Sequence, residues 1–201
     1  MSQRRRIPKQ ARARERLGRI LDAARGEVQE RPLADVTIES IALRAAVPVG
    51  SVYQYFSSKS ALLAAVAEAV MAEADAESAR LLAECRALPW RDGLDRIIRA
   101  TLELLRNSPD YGALLRGMRF SQEFAEVTLA SNERVADLMS LHPAFGRAGL
   151  SRAQALEICR TAVTAVNALQ DRALSDDSVD FEAAILECQR LAKGYVSTYL
   201  P

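Results

Sequence analysis

Apolar residues recur at intervals of three and four along most of this 201-residue chain, the spacing that places side chains on one face of an α-helix. Loops are predicted over 87–90, 107–110 and 141–149, where proline and glycine interrupt the pattern. The sequence therefore predicts an all-α fold. Its helices are expected over about 12–30, 58–86, 92–106 and 151–169, with a broken helical stretch over 110–139 and a final helix over 181–199.

Two short helices joined by a tight bend are predicted between residues 37 and 59. Thr37 is suited to cap the first helix. The pattern breaks at residues 46–48, because Pro48 disfavours a helical conformation for Val47 and suits the first turn of a new helix. Such a pair is the layout of a helix-turn-helix that reads DNA. The buried side of its first helix is expected to be Ile38, Ile41, Ala42 and Ala45.

The second helix of the pair is expected to have one buried and one exposed face. Val52 and Phe56 are four residues apart and share the buried face, so the residues between them turn outward. The outward amide of Gln54 is suited to pair with adenine in the major groove. The candidate DNA-binding residues of this segment are Thr37, Val49, Gly50, Ser51, Tyr53, Gln54, Tyr55 and Lys59.

The other candidates have distinct expected roles. Gly50 and Ser51 carry little bulk, which allows the start of the helix to approach a phosphate backbone closely. Tyr53 and Tyr55 offer hydroxyls to phosphate oxygens and rings to thymine methyl groups. Lys59 places a cation where a phosphate would compensate it. The alternative is an ordinary helical corner with half-buried tyrosines and a solvated lysine.

Charge is distributed unevenly along the chain. Residues 1–60 contain 12 Lys and Arg against 6 Asp and Glu, a balance of +6, whereas the remaining 141 residues contain 15 against 20, a balance of −5. A basic end joined to an acidic body is expected when one end meets a polyanion. Arg4, Arg5 and Arg6 are therefore predicted to lie in the minor groove or along phosphates. A solvated tail is the other interpretation, and both are expected to hold: the arm is disordered when free and partly ordered on DNA.

The run GSVYQYFSSK, residues 50–59, resembles the DNA-binding domain of the tetracycline-repressor (TetR) family, with support over residues 12–70. Pro48, Val49 and Ser60 depart from the residues that are frequent in the family. The resemblance implies an N-terminal three-helix helix-turn-helix domain over residues 1–60, with the basic arm. A C-terminal helical bundle over residues 61–201 would bind a ligand and dimerise.

Dimerisation is expected from the last two predicted helices, the first of which starts with a capping box of Ser151 and Gln154. By resemblance, their apolar stripes would form a four-helix interface in a homodimer. A twofold dimer would read a palindromic operator. The alternative is that the stripes are core within one chain. The candidate interface residues are Ala155, Cys159, Ala162, Val166, Phe181, Ile185, Cys188 and Tyr195.

A small apolar ligand is expected to bind among the central helices, in a pocket with few polar groups. Asn167 and Gln170 are possible polar partners, and His142 is interpreted as a surface or hinge residue. The alternative is that these residues are plain core. The candidate ligand-binding residues are Trp90, Tyr111, Leu115, Met118, Phe120, Phe124 and Asn167.

Other classes of protein are disfavoured by the sequence. One histidine cannot supply the Glu-x-x-His pairs of a di-iron bundle, and HExxH, CxxC, phosphate-binding glycine-loop and nucleophile-elbow motifs are absent. Cys85, Cys159 and Cys188 are interpreted as small buried hydrophobic residues in a reducing compartment. Neither a membrane span nor a secretory signal is evident. We therefore expect a cytoplasmic protein, not an enzyme, that uses no cofactor or metal.

The sequence thus predicts a dimeric DNA-binding transcriptional regulator. Its expected action is that of a repressor that a small-molecule ligand releases from the operator. The alternative is a dimeric regulator without a small-molecule effector, controlled by a protein partner or by abundance.

Overall fold

The computed structural model describes residues 9–118, 121–176 and 178–201, and these residues form ten α-helices and no strand. The predicted all-α fold is therefore confirmed. The helices are α1 (Lys9–Glu30), α2 (Ile38–Arg44), α3 (Val49–Tyr53), α4 (Lys59–Cys85), α5 (Trp90–Arg106), α6 (Pro109–Met118), α7 (Gln122–Met139), α8 (Pro143–Arg147), α9 (Arg152–Ser175) and α10 (Phe181–Val196).

The first three helices share one apolar core with the start of α4 and with α6. Ile20 from α1, Ile41 from α2 and Val52 from α3 meet in this core and are fully buried. Leu62 of α4 and Leu115 of α6 complete it and are equally inaccessible to water. Each such side chain contributes roughly 2 kcal/mol through burial. The helix-turn-helix is therefore held by two helices that continue into the rest of the molecule.

Two of the helix starts have the caps that the sequence predicts. Thr37 caps α2, because its hydroxyl accepts a hydrogen bond from the Ser40 N–H at 3.0 Å. Ser151 and Gln154 form the predicted capping box of α9: the Ser151 N–H donates to the Gln154 side-chain oxygen at 2.9 Å, and the Gln154 N–H donates to the Ser151 hydroxyl at 3.3 Å. These bonds satisfy backbone donors that the first helical turn leaves free.

The bend between α2 and α3 is a Schellman motif with alanine in the left-handed position. The Val47 N–H donates to the Ala42 carbonyl at 3.0 Å, and the Ala46 N–H donates to the Leu43 carbonyl at 3.1 Å. Ala46 has a φ of 52°, a conformation that glycine adopts far more readily than alanine. The tight turn of the helix-turn-helix is therefore strained at this residue.

Ala46→Gly is expected to raise the free energy of unfolding by about 0.5 to 1 kcal/mol, because the Cβ atom is disfavoured at positive φ. The greater freedom of glycine in the unfolded chain offsets part of this gain. Ala46 is exposed, so no packing is lost. Urea unfolding measures the difference. The control is Ala72→Gly, at an exposed position inside α4, which should lose about 1 kcal/mol. If the free energy of unfolding falls in both variants, the backbone of Ala46 is not strained.

A second core joins α5, α9 and α10, and it corrects the predicted dimer interface. Both stripes on the last two helices point into this core of a single chain. A side chain that is already buried in one chain cannot form an exposed pairing surface, so the intramolecular alternative holds for the six buried residues. These are Ala155, Cys159, Ala162, Val166, Ile185 and Cys188. Phe181 and Tyr195 are half-buried against the same core, and their place in an interface stays a prediction.

Two predicted loops contain more helix than the sequence indicates. Residues 141–149 include α8, in which the His142 Nδ1 accepts a hydrogen bond from the Ala144 N–H at 3.2 Å and Pro143 takes the first position. Gly149, with a φ of 76°, follows the helix. A helix of little more than one turn has no recurring stripe to detect. Trp90 begins α5 and is not part of the preceding loop.

Candidate nucleic-acid interface and ligand cavity

Helix α3, the second of the two short helices, exposes the face that the sequence predicts. Val52 is fully buried, whereas Gly50, Tyr53 and Gln54 are exposed and Ser51 is half-buried. Tyr53 retains 52% of its accessible surface, a large value for an aromatic side chain in a folded protein. This face therefore offers an aromatic ring, an amide and a glycine that brings the backbone close to any surface it meets.

Tyr55 and Lys59 contact the protein itself. The Tyr55 hydroxyl donates to the carbonyl of Ala13 in α1 at 3.3 Å, and the Lys59 ammonium donates to the carbonyl of Leu33 at 2.7 Å. Both side chains are half-buried. They fasten the end of α3 and the start of α4 to α1 and to the segment between α1 and α2. No sequence signal indicates these partners, which lie 26 or more residues away in the chain.

The N-terminal half of α1 forms a basic surface. Arg12, Arg14, Arg16 and Arg19 are exposed and form no ion pair with any residue that the structure describes. Their uncompensated charge attracts polyanions. The predicted arm residues Arg4, Arg5 and Arg6 lie outside the described residues. Thr37 is exposed at the start of α2, and Val49 is half-buried at the start of α3.

A cavity of about 80 Å³ lies between α4, α5, α7 and α9. Most of its wall is apolar, with Met71 of α4, Ile98 of α5 and Val166 of α9 among the lining residues. Polar side chains also line it, and Gln170 among them is only 4% exposed. A largely buried polar side chain on a cavity wall favours a bound polar group.

Further neutral polar groups lie around Gln170. The Thr128 hydroxyl is buried without a partner among the described residues, and the Asn167 amide donates to the Asn132 side-chain oxygen. The hydroxyl of Tyr111 donates to the Asp171 carboxylate at 3.3 Å. Burial, and secondarily Asp171, raises the pKa of Tyr111 far above its usual value, so the hydroxyl remains a neutral donor.

The structure places the predicted ligand-binding residues in three different environments. Tyr111 and Asn167 line this cavity, and Trp90 lines a second, neighbouring one. Three others belong to the core beneath the helix-turn-helix and line neither cavity: Leu115, Met118 and Phe124. The prediction that these three residues bind the ligand is therefore wrong, because α6 and the start of α7 turn their apolar sides toward α1 and α4. Phe120 lies outside the described residues.

A polar junction connects the cavity to the helix-turn-helix, and the sequence does not indicate it. Asp110, adjacent to Tyr111 in α6, is 1% exposed. Its carboxylate accepts hydrogen bonds from Arg25 at 2.8 Å and from Gln29 at 2.5 Å, both in α1. Arg25 also pairs with Glu73 of α4 at 2.7 Å. Two carboxylates, chiefly that of Glu73, raise the pKa of Arg25, so this charge is permanent.

Two further observations concern other classes of site. Among the described residues, no three His, Cys, Asp or Glu side chains gather as metal ligands do. No helix in the described ranges combines the length and apolarity that crossing a bilayer requires.

Comparisons with known protein families match both the N-terminal and the C-terminal part of the chain. Residues 20–66 match the sequence family "Bacterial regulatory proteins, tetR family", and residues 89–195 match "Tetracyclin repressor-like, C-terminal domain". No curated protein matches the chain by sequence.

Solved structures share the fold over nearly the whole length. A TetR transcriptional regulator from Rhodococcus sp. RHA1 is 23% identical, with 94% of this chain and 98% of that chain covered and a TM-score of 0.65. A TetR-family regulator from Streptomyces coelicolor is 23% identical, with 92% and 99% covered and a TM-score of 0.65. RolR in complex with resorcinol is 19% identical, with 96% and 98% covered and a TM-score of 0.69. By its sequence matches, the chain belongs to the TetR family of bacterial DNA-binding, helix-turn-helix transcriptional regulators.

Proposed function

We propose that this regulator is a repressor that leaves its operator when a small, mostly apolar ligand enters the cavity of its helical body. The proposal depends mainly on one observation, the buried hydroxyl of Thr128, which lines a mostly apolar cavity together with Gln170 and has no partner among the described residues. Apolar walls with a few converging polar groups are typical of ligand sites. RolR was solved with resorcinol, a small molecule with an aromatic ring and hydroxyl groups, and its similar fold supports a ligand of modest size here.

Operator reading is assigned to the exposed face of α3, with the basic surface of α1 on the flanking phosphates. Gln54 lies at the end of α3, where its amide can donate to and accept from adenine in the major groove. The hydrogen bonds of Tyr55 and Lys59 give both residues a structural role. Either side chain can therefore contact a DNA phosphate only if it gives up its hydrogen bond to the backbone carbonyl or donates to both acceptors at once.

Gln54→Ala is expected to weaken binding to the cognate operator by about 1 to 3 kcal/mol and to relax discrimination at one base position. Fluorescence anisotropy with the operator and its single-base variants measures both effects. Gln122→Ala, at an exposed glutamine of α7 far along the chain, is the matched control and should bind as the unaltered protein does. Unchanged affinity and unchanged base preference would exclude base reading by this amide.

Pairing of two chains is assigned to the outer surfaces of α9 and α10. The outward side of α10 carries Leu186 and Leu191, with Tyr199 in the turn that follows, and all three are exposed. The outward side of α9 carries small residues such as Thr164 and Ala168, which allow close approach of a second helix pair. A twofold dimer doubles the bases read and matches a palindromic operator.

Release from the operator is assigned to a tilt of α4 together with a shift of α6. Helix α4 begins at the helix-turn-helix and lines the cavity further along, and α6 places Tyr111 at the cavity and Asp110 against α1. Ligand binding would change the separation of the two recognition helices and break their register with successive grooves. A coupling of about 1 to 3 kcal/mol suffices for useful induction.

The size of the cavity supports a second candidate, a dimeric regulator without a small-molecule effector. About 80 Å³ is well below the roughly 300 Å³ at which typical ligand pockets begin. A ligand must therefore be very small or must widen the cavity as it binds. Control by a protein partner or by abundance needs neither.

Selection of bound sequences from random DNA, followed by a ligand screen, tests the proposal. The selected sites should be palindromes with half-sites one helical turn apart or a multiple of it. Neutral small molecules that raise the melting temperature of the protein should also weaken its operator binding. If every stabilising ligand leaves operator affinity unchanged, the switch fails and the effector-free regulator remains.

A further inference from the structure

A second cavity of about 50 Å³ lies beside the first one in the helical body. Trp90 of α5, Phe145 of α8 and Leu200 after α10 contribute to its wall, which is almost entirely apolar. The two cavities share a partition of four apolar residues. These residues are Leu94, Ile97, Met139 and Ala162.

The cavities follow one another along the helices. On α4 the first cavity is lined within residues 71–78, and the second is lined by residues 82 and 85 of α4 and by residue 86 just after it. On α9 the lining runs from Gln170 in the first cavity to Cys159 in the second. A helix rises about 1.5 Å per residue, so the lined part of α4 is roughly 22 Å long. Together the cavities form an interrupted channel along the bundle.

The two ends of this channel differ in chemistry. The end in the first cavity carries the Gln170 amide and the Thr128 hydroxyl, and the hydroxyl is buried without a partner in the described part of the chain. Asp75 is the carboxylate on that wall, and it is bound to Arg134 at 2.6 Å and to the Ser131 hydroxyl at 2.5 Å. That end is therefore polar without a free charge.

The opposite end has one charged side chain among its described lining residues, Arg86, which is exposed and donates a hydrogen bond to the Leu141 carbonyl at 3.3 Å. Cys85 and Cys159 line it as buried thiols, and burial raises the pKa of Cys159 to about 12. A thiol in this state packs as an apolar side chain. His142 is half-buried there, and burial lowers its pKa, which favours the neutral ring. An alkyl chain is the group that best matches such walls.

We propose that the two cavities are the head and tail subsites of one channel for a neutral amphiphile, with an uncharged hydrogen-bonding head at Gln170 and an unbranched alkyl chain that reaches Trp90. This inference rests on the proposed ligand-binding function. The partition is suited to open, because Met139 has three rotatable side-chain bonds and Ala162 is small. Rotation of Met139 would join two cavities that are each too small for a typical ligand.

The length dependence of alcohol binding tests the channel directly. Straight-chain alcohols from butanol to decanol should bind about fourfold more tightly for each added methylene, because each one is buried against apolar walls. Trp90 is the single tryptophan of the chain and lines the tail subsite. Decanol with a bromine at its far end should quench the fluorescence of Trp90, whereas butanol with a bromine at its far end should not.

Two variants that reduce the tail subsite sharpen the test. Cys159→Leu adds two heavy atoms to the wall of the second cavity and should weaken decanol binding about tenfold or more while butanol binding is kept. Gly93→Ala is a gentler alternative, because a Cβ atom there would lie 3.5 Å from the Cys85 Cβ, an ordinary contact. Cys188→Ala is the matched control, since Cys188 is buried in the same core and lines neither cavity.

The outcomes separate this inference from the proposed function. The channel is overturned if decanol binds no more tightly than butanol. It is also overturned if brominated decanol binds to both tail variants, and quenches their Trp90 fluorescence, as strongly as it does in the unaltered protein. Decylamine or decanoate that binds more tightly than decanol overturns the neutral head group. Release of the operator by other small molecules would then leave the proposed function intact. If no molecule of the screen releases the operator, the proposed function itself fails, even where decanol binds as expected.

Discussion

Arg25→Ala is expected to lower the free energy of unfolding by about 3 kcal/mol, the lower end of the range for breaking a buried ion pair. The variant leaves the buried carboxylate of Asp110 with Gln29 as its remaining partner in α1. An uncompensated charge in this position is costly, because little water reaches it. Glu73, which is exposed, loses its partner at little cost. Urea unfolding followed by circular dichroism measures the loss.

Two comparisons isolate the contribution of the buried charge. Arg99→Ala removes an arginine that also has two carboxylate partners, Glu103 and Glu182, but all three side chains are largely exposed, so the loss should stay below about 1 kcal/mol. Asp110→Asn introduced together with Arg25→Ala should recover part of the stability, since the buried group is then uncharged. A loss for Arg25→Ala no larger than that for Arg99→Ala would show that the junction contributes little.

Leu191→Glu is expected to dissociate the dimer and to remove operator binding at concentrations where the unaltered protein binds. Leu191 is 40% exposed in the single chain, so the variant should fold normally. In a twofold interface the substitution occurs on both chains, and desolvation and repulsion of the new carboxylates cost several kcal/mol. The dissociation constant of the dimer should rise by about a hundredfold or more. A monomer contacts one half-site and loses most of its affinity.

Sedimentation equilibrium measures the dimer, and anisotropy with a palindromic operator measures the DNA affinity. Leu129→Glu is the matched control, because Leu129 is 60% exposed on α7, away from the proposed pairing surface. It should leave both dimer and operator binding unchanged. A dimeric Leu191→Glu variant with normal operator binding would place the pairing surface elsewhere. Dissociation by both variants would indicate a general effect of added negative charge.

Local sequence signals are accurate where the responsible interactions lie within one or two helical turns. The cap at Thr37, the capping box of Ser151 with Gln154 and the bend before Pro48 are all present in the structure. The match of residues 20–66 to the family confirms the helix-turn-helix that these signals predict. Each depends on backbone groups and side chains a few residues apart, so no knowledge of distant contacts is needed.

Local sequence signals predict only part of the candidate site. Asn167 and Gln170 stand out as polar residues on an otherwise apolar helix face, and the structure places both at the cavity. The partners of Arg25 and Lys59 carry no such signal. Asp110 is 85 residues from Arg25, and Leu33 is 26 residues from Lys59. Contacts over such separations depend on how helices cross, which periodicity does not encode.

The amino-acid sequence by itself determined the all-helical class, the family and the exposed face of the recognition helix, because caps, breaks and periodicity act locally. Tertiary structure alone decided which buried stripes meet inside one chain. Ala155 and Ile185 pack within the single chain, whereas Leu186 and Leu191 remain exposed. The physical reason is that an apolar stripe requires burial against some apolar neighbour, and its spacing is the same whether that neighbour belongs to the same chain or to another.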